Sequence, residues 1–260
     1  MSAANSSDIF RLDDKLALVT GASSGLGWHF AHLLARSGAR VAIAARRADR
    51  LNQLVSGIVA KGGQAFAVDL DVTSANSVSN AFDHIIATAG VPDVIVNNAG
   101  VTVTKPLLEQ TETDWDHVLN TNLKGCWLVG TEAARRMVAA NKGGCIINVA
   151  SIAGERVAAG VAPYAISKAG LVQTTKAMAL ELARNNIRVN ALLPGYIITD
   201  LNRAFLESDA GERLRARIPS RRFSELSDLD GPLLLLASDA GRAMSGSTLV
   251  VDGGHLVSSL

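Results

Sequence analysis

At 260 residues, with 48% hydrophobic and 19% charged side chains, the chain is long enough for a well-buried domain and too apolar for a disordered one. A formal net charge of +1 without any long basic run argues against nucleic-acid binding, which draws its affinity from phosphate contacts. No apolar stretch reaches the roughly 18 residues of a membrane span, and Cys126 and Cys145 lack the CxxC or histidine company of a zinc site or disulfide framework. The first fourteen positions are polar, with no basic region leading into an apolar one, and are expected to be a loose arm on a soluble, cytoplasmic protein, with the domain proper at 15–260. From Leu16 onward, short apolar runs alternate with amphipathic stretches. LALVT precedes a helix over 25–37, VAIAA one over 47–61, QAFAVDL one over 74–89, and DVIVNNAG one over 112–140. CIINVAS then precedes a helix over 162–184, RVNALLPG a helix over 225–237, and TLVVDGG closes the series.

This rhythm predicts an α/β fold in a single domain, a three-layer, Rossmann-like doubly wound parallel sheet of about seven strands with helices on both faces. VIV and CIINV carry little alternation, as expected of strands covered on both sides. The segment 196–225 departs from the rhythm and is rich in Arg, Ser and Asp. It reads as a long surface loop with short helices or as a substrate lid.

Two constellations carry chemistry. TGASSGLG places Gly21, Gly25 and Gly27 directly after a strand and before an amphipathic helix, where glycines permit a sharp turn and the close approach of a pyrophosphate to a helix N-terminus. Tyr164 and Lys168 lie four apart on one predicted helix, so phenol and ammonium share a face, with Ser151 upstream. A free phenol titrates near about 10, and an adjacent ammonium is a means of making one exchange protons near neutrality. Ser151 has no G-x-S-x-G setting and no histidine follows it before His255, which argues against a serine nucleophile. His29 and His32 share a helix face without a third ligand, so no metal is expected.

The ordered succession of TGASSGLG, NNAG (Asn97–Gly100), Asn122, Ser151, Tyr164, Lys168, Pro194-Gly195 and VDGG resembles the short-chain dehydrogenase/reductase family over nearly the whole chain. The resemblance implies hydride transfer between a nicotinamide cofactor and a ketone or secondary alcohol. Tyr164 would act as general acid/base, Ser151 would donate to the substrate carbonyl, Lys168 would also bind the nicotinamide ribose, and Asn122 would hold a water leading to solvent. It further implies cofactor contacts from Gly21, Ser23, Ser24, Gly25, Leu26, Gly27, Asp71, Val72, Asn98, Ala99, Gly100, Pro194, Gly195, Ile197 and Thr199. In this scheme Asn97 braces the sheet. Where NAD-preferring relatives end the second strand with an acid, this chain has Ala45 followed by Arg46, which points to NADP(H). Arg46 would face the 2′-phosphate, assisted by Ser23 and Arg47. Ala153, Tyr196, Ile152, Gly154, Glu155, Val157 and a lid over 200–217 are candidates for the substrate pocket. A broad ketone or alcohol oxidoreductase comes first. The alternatives are a 3-oxoacyl-thioester reductase, a sugar-acid or polyol dehydrogenase with Arg156 or a lid arginine on the carboxylate, and a non-catalytic NADP-sensing scaffold. Relatives commonly assemble as tetramers, so a homotetramer is expected, with a dimer as the other possibility.

Overall fold

The computed structural model describes residues 8–199 and 202–258. Seven strands form one parallel sheet in the order β3-β2-β1-β4-β5-β6-β7. They are β1 (Leu16–Thr20), β2 (Arg40–Ala45), β3 (Gln64–Asp69), β4 (Val94–Asn97), β5 (Gly144–Val149), β6 (Ile187–Pro194) and β7 (Thr248–Val251). Helices α1 (Gly25–Arg36), α2 (Ala48–Val59) and α9 (Asp230–Ala237) cover one face. The other carries α3 (Ala75–Ala89), α5 (Gly125–Ala139) and α6 (Ala162–Leu182). Two short helices, α7 (Arg203–Leu206) and α8 (Asp209–Arg215), lie between β6 and α9.

Alternate strand residues serve the two faces, and both sets are apolar because both faces are covered. Val19, Val41, Ile43 and Ile147 meet Phe30 and Leu34 of α1, Leu54 of α2 and Leu233 of α9. Leu18, Ala42, Ile95 and Ile146 meet Phe82 and Ile85 of α3 and Val129 and Met137 of α5. Each fully buried Val, Leu, Ile, Phe or Met among these contributes about 1.5–3 kcal/mol of hydrophobic stabilisation. Cys126 and Cys145 are free and buried in these layers, and burial pushes both thiols up to about 11. Among the described residues no helix is long and apolar enough to cross a membrane.

Two departures from the sequence expectation have physical causes. The arm expected over 1–14 is already part of the fold at Leu12, which is 1% exposed and donates its N–H to Ser37 O. One leucine in a polar stretch suffices to anchor that segment, while residues 1–7 lie outside the described residues. The helix expected over 112–140 is three pieces. A capping box of Thr111 and Asp114 starts α4 (Glu112–Leu119), and a π turn over Asn120–Lys124 precedes α5. The wider turn turns Asn122 inward to a backbone partner, described below.

The direction of chain winding changes between β1 and β4, which are neighbours in the sheet. Crevices of doubly wound sheets open at such switch points, at the carboxyl ends of the strands. The glycine-rich turn, NNAG and Ser151 follow β1, β4 and β5 and therefore share that edge.

Candidate active site

The glycine-rich turn is fastened to the β4 loop by hydrogen bonds. Thr20 Oγ1 accepts from Asn98 N and Ala99 N, each at 3.1 Å, while Asn98 Nδ2 donates to Thr20 O at 3.0 Å and Gly21 O at 3.3 Å. Gly21 has φ +65°, and a Cβ there would lie 2.7 Å from Ala99 Cα. At Gly27 a Cβ would lie 2.5 Å from Asn98 Nδ2, so two of the three glycines exist for the packing of one loop on the other. Gly25 differs: the nearest atom to its would-be Cβ is Thr199 Cγ2 at 4.0 Å, which puts the Pro194–Thr199 segment opposite the start of α1. Ile197 is buried, and Asn202 holds this segment by accepting from Thr199 N (2.8 Å) and donating to Ile197 O (2.9 Å).

At the end of β2 the arginines diverge. Arg47 donates to Ser23 Oγ at 2.8 Å and to Ser24 Oγ at 3.1 Å, whereas Arg46 is exposed and bears electrostatically on Asp71. The residue nearest the glycine-rich turn is thus Arg47, the one given the lesser part by sequence. Asp71 accepts from Thr73 N and Oγ1, bonds that hold its carboxyl below the usual range. The Val72 side chain is buried and packs on Gly125, where a Cβ would lie 2.8 Å from Val72 Cγ2. Only its backbone is left to face a ligand. Leu26 is likewise packed against the core of the α1 face.

Ser151 follows β5, and Tyr164 and Lys168 occupy the first two turns of α6, which begins with Pro163 near its N-terminus. Lys168 is 4% exposed, its Nζ donates to Val149 O at 2.7 Å, and it stands 5.6 Å from the centroid of the Tyr164 ring. Ser151 Oγ accepts from Ala153 N at 3.1 Å, which leaves its own proton available to an acceptor. Asn122 is fully buried. Its Oδ1 accepts from Val101 N (2.8 Å) and its Nδ2 donates to Val101 O (2.9 Å) and Ser167 Oγ (3.1 Å). A Cβ on Gly100 would lie 3.4 Å from Asn122 Oδ1 and 3.7 Å from Lys168 Nζ, so these groups converge beside the β4 loop.

Some expected pocket residues do other work. Gly154 is a packing joint: a Cβ there would lie 2.8 Å from Lys168 C, so it seats the Ser151 loop on α6. Ile152 is buried, and Val157 is 88% exposed on the surface. Ala153 and Tyr196 are partly exposed near the site, and Tyr196 packs against Phe223 and His255 at ring-centroid distances of 6.4 and 5.7 Å. Burial raises the Tyr196 pKa, and the neighbouring Tyr164 adds to this. Of the lid, Asp200 and Leu201 lie outside the described residues. Asn97 braces α5 against the sheet by donating to Cys126 O (3.1 Å) and to Asn148 Oδ1 (3.0 Å). Asn148 then donates to Thr175 Oγ1 at 2.8 Å. Sequence reasoning passed over Thr20, Asn148, Thr175 and Asn202. Asn148 could have been found as a lone amide in the apolar run CIINV, whereas nothing local marks Asn202. His29 meets Asp230 at 2.5 Å, and among the described residues no three His, Cys, Asp or Glu form a metal-binding group.

A family model described as Enoyl-(Acyl carrier protein) reductase matches residues 21–255. Gluconate 5-dehydrogenase of Gluconobacter oxydans is 36% identical over 252 residues, which is 96% of this chain and 98% of that protein. A 3-oxoacyl-acyl-carrier-protein reductase of Staphylococcus epidermidis is 38% identical over 242 residues, 93% of this chain and 98% of the relative. The chain belongs to the short-chain dehydrogenase/reductase family. The structure of a gluconate 5-dehydrogenase from Burkholderia cenocepacia, in complex with NADP and tartrate, superposes with a TM-score of 0.94 at 35% identity, covering 98% of this chain and all of that one. This short-chain dehydrogenase/reductase is therefore an oxidoreductase by family, and the seven-stranded doubly wound sheet is the fold of its relatives.

Proposed function

We propose that this chain interconverts a ketone and a secondary alcohol with NADP(H), Tyr164 passing the proton. The observation that carries the reading is the placement of Lys168 Nζ 5.6 Å from the Tyr164 ring, on a helix whose first turns face the loop holding Ser151. In reduction, Ser151 donates a hydrogen bond to the carbonyl oxygen, and the Tyr164 O–H gives its proton to the oxygen as the bond becomes a C–O single bond. Lys168, with one of its three protons on Val149 O, keeps two for its other neighbours, and its positive charge stabilises the phenolate left behind. Asn122 is the positioning residue that fixes the β4 loop beside Lys168.

The residues around the crevice fit the cofactor. Gly25 leaves space before the N-terminus of α1, Ala45 ends β2 without a carboxylate, and Arg47 lies on Ser23 and Ser24 where a phosphate would find forked donors. NADP(H) supplies the hydride when bound. The NADP complex of the Burkholderia cenocepacia relative supports this choice of cofactor. For the substrate, two groups of relatives support either a polyhydroxy acid or a 3-oxoacyl thioester. We also infer self-association, supported by exposed tryptophans and aliphatic side chains on α4, α5 and α6.

The test is the initial rate of NADPH and NADH oxidation with simple ketones, a β-ketoester, acetoacetyl thioesters and keto-sugars. Rates should favour NADPH, and Tyr164→Phe should lower kcat by about 100- to 10,000-fold while retaining NADPH binding. Strong turnover by Tyr164→Phe would overturn the proton-transfer role.

A further inference from the structure

Arg156, five positions after Ser151, ties the catalytic loop to the C-terminal turn. Its Nη1 donates to His255 O at 2.5 Å and to Ser258 Oγ at 2.7 Å. The same turn backs the Tyr196 ring, and Tyr164 bears electrostatically on Tyr196. Arg156 and Tyr196 therefore meet the same C-terminal turn, and Arg156 likewise bears electrostatically on Tyr196. Arg156 and Arg217 both act on His255, and the acid that acts on it from nearby is Asp252. Asp252 is already engaged, with Oδ1 accepting from Gly254 N (2.8 Å) and Oδ2 from Leu256 N (2.6 Å).

Arg156 is half-buried, and among the described residues the only hydrogen bonds of its side chain are those of Nη1, to neutral oxygens. A half-buried guanidinium bonded only to neutral oxygens keeps its charge available to an anion. With Nη1 anchored, Nε and Nη2 present the parallel pair of donors that matches a carboxylate. We propose that Arg156 is a specificity-determining residue that seats a carboxylate of the substrate, so that the enzyme acts on oxo acids and hydroxy acids. This rests on the assignment of Tyr164 as the proton donor at the same site.

The matched probes are 5-keto-D-gluconate and L-sorbose, the same carbon skeleton with a carboxylate or a neutral CH2OH at one end. The ratio of kcat/KM for the acid over the neutral ketose should exceed roughly 30 in the wild type, carried mainly by KM. In Arg156→Gln it should fall toward unity, and in Arg156→Lys to an intermediate value. A parallel loss on both substrates would make Arg156 a structural tie for the C-terminal turn and overturn the proposal, as would an unchanged ratio. Calorimetric titration of 5-keto-D-gluconate into the protein with NADP+ gives a second readout that needs no turnover. Binding should weaken at least about 10-fold in Arg156→Gln and persist in Tyr164→Phe, and wild-type protein that fails to bind would sink the idea. Retained turnover in Tyr164→Phe with the Arg156 effect intact would instead overturn the proton-transfer reading alone.

Discussion

Arg47 and Arg46 are adjacent in sequence yet serve different neighbours, because successive residues leaving a strand point to opposite sides. Arg47 turns back onto the glycine-rich turn at Ser23, while Arg46 faces the Asp71 side. If a 2′-phosphate is recognised here, the contact is a charge-assisted one contributing about 1.5–3 kcal/mol. Arg47→Ala should then lower kcat/KM for NADPH roughly 10- to 100-fold and leave the value for NADH little changed. Arg46→Ala should have the smaller effect. Steady-state kinetics with both cofactors checks the pair, and an equal loss with NADH would mean that Arg47 shapes the turn and does not read the phosphate.

The π turn between α4 and α5 exists at the scale of an element, yet its consequence is one side chain. By interrupting the helix it delivers Asn122 to both polar atoms of the Val101 backbone, completing the β4 loop that faces Lys168. Asn122→Ala leaves those groups without partners in a buried setting, at a cost of about 1–3 kcal/mol each. The urea midpoint should drop accordingly and NADPH oxidation should slow, and a variant with wild-type midpoint and rate would contradict this role. Sequence made Asn122 legible through its place in the succession of family motifs but showed only a continuous helix, since periodicity over 112–140 cannot register one extra residue in a turn. Strands were legible for a different reason. Runs such as LALVT and CIINV are apolar on both faces, a property that local composition records directly. The same limit governed the site. Ser151, Tyr164 and Lys168 belong to compact motifs, whereas Asn202, Thr175 and His255 reach their partners only through the fold, and Gly154 looked like a pocket residue until its contact with Lys168 was visible.

On the scale of the whole molecule, the sheet divides labour between its ends and its sides. The crevice uses the carboxyl edge, and one side of the α4–α5–α6 layer remains uncovered. Trp127 on α5 and Ile166 on α6 are each 47% exposed, Trp115 on α4 is 43% exposed and Leu180 is 81% exposed. A cleft of about 340 Å³ lined by Leu119, Leu123, Trp127 and Thr174 indents the same face. Among the described residues, strand β7, at one edge of the sheet, pairs with β6 alone and carries the exposed Val250. An apolar helical face and an unpaired sheet edge on one 27.1 kDa chain suit an assembly with two kinds of contact, each burying on the order of 800 Å² per subunit. Such an assembly would be a tetramer with two perpendicular two-fold axes, of about 108 kDa. Light scattering at micromolar concentration should return that mass. Trp127→Glu places a charge in the helical contact and should reduce the particle to a dimer joined through the β7 edge, because burying an unpaired carboxylate is prohibitive. A monomer in the wild type would refute the assembly, and an intact tetramer in Trp127→Glu would move the contact elsewhere on the chain.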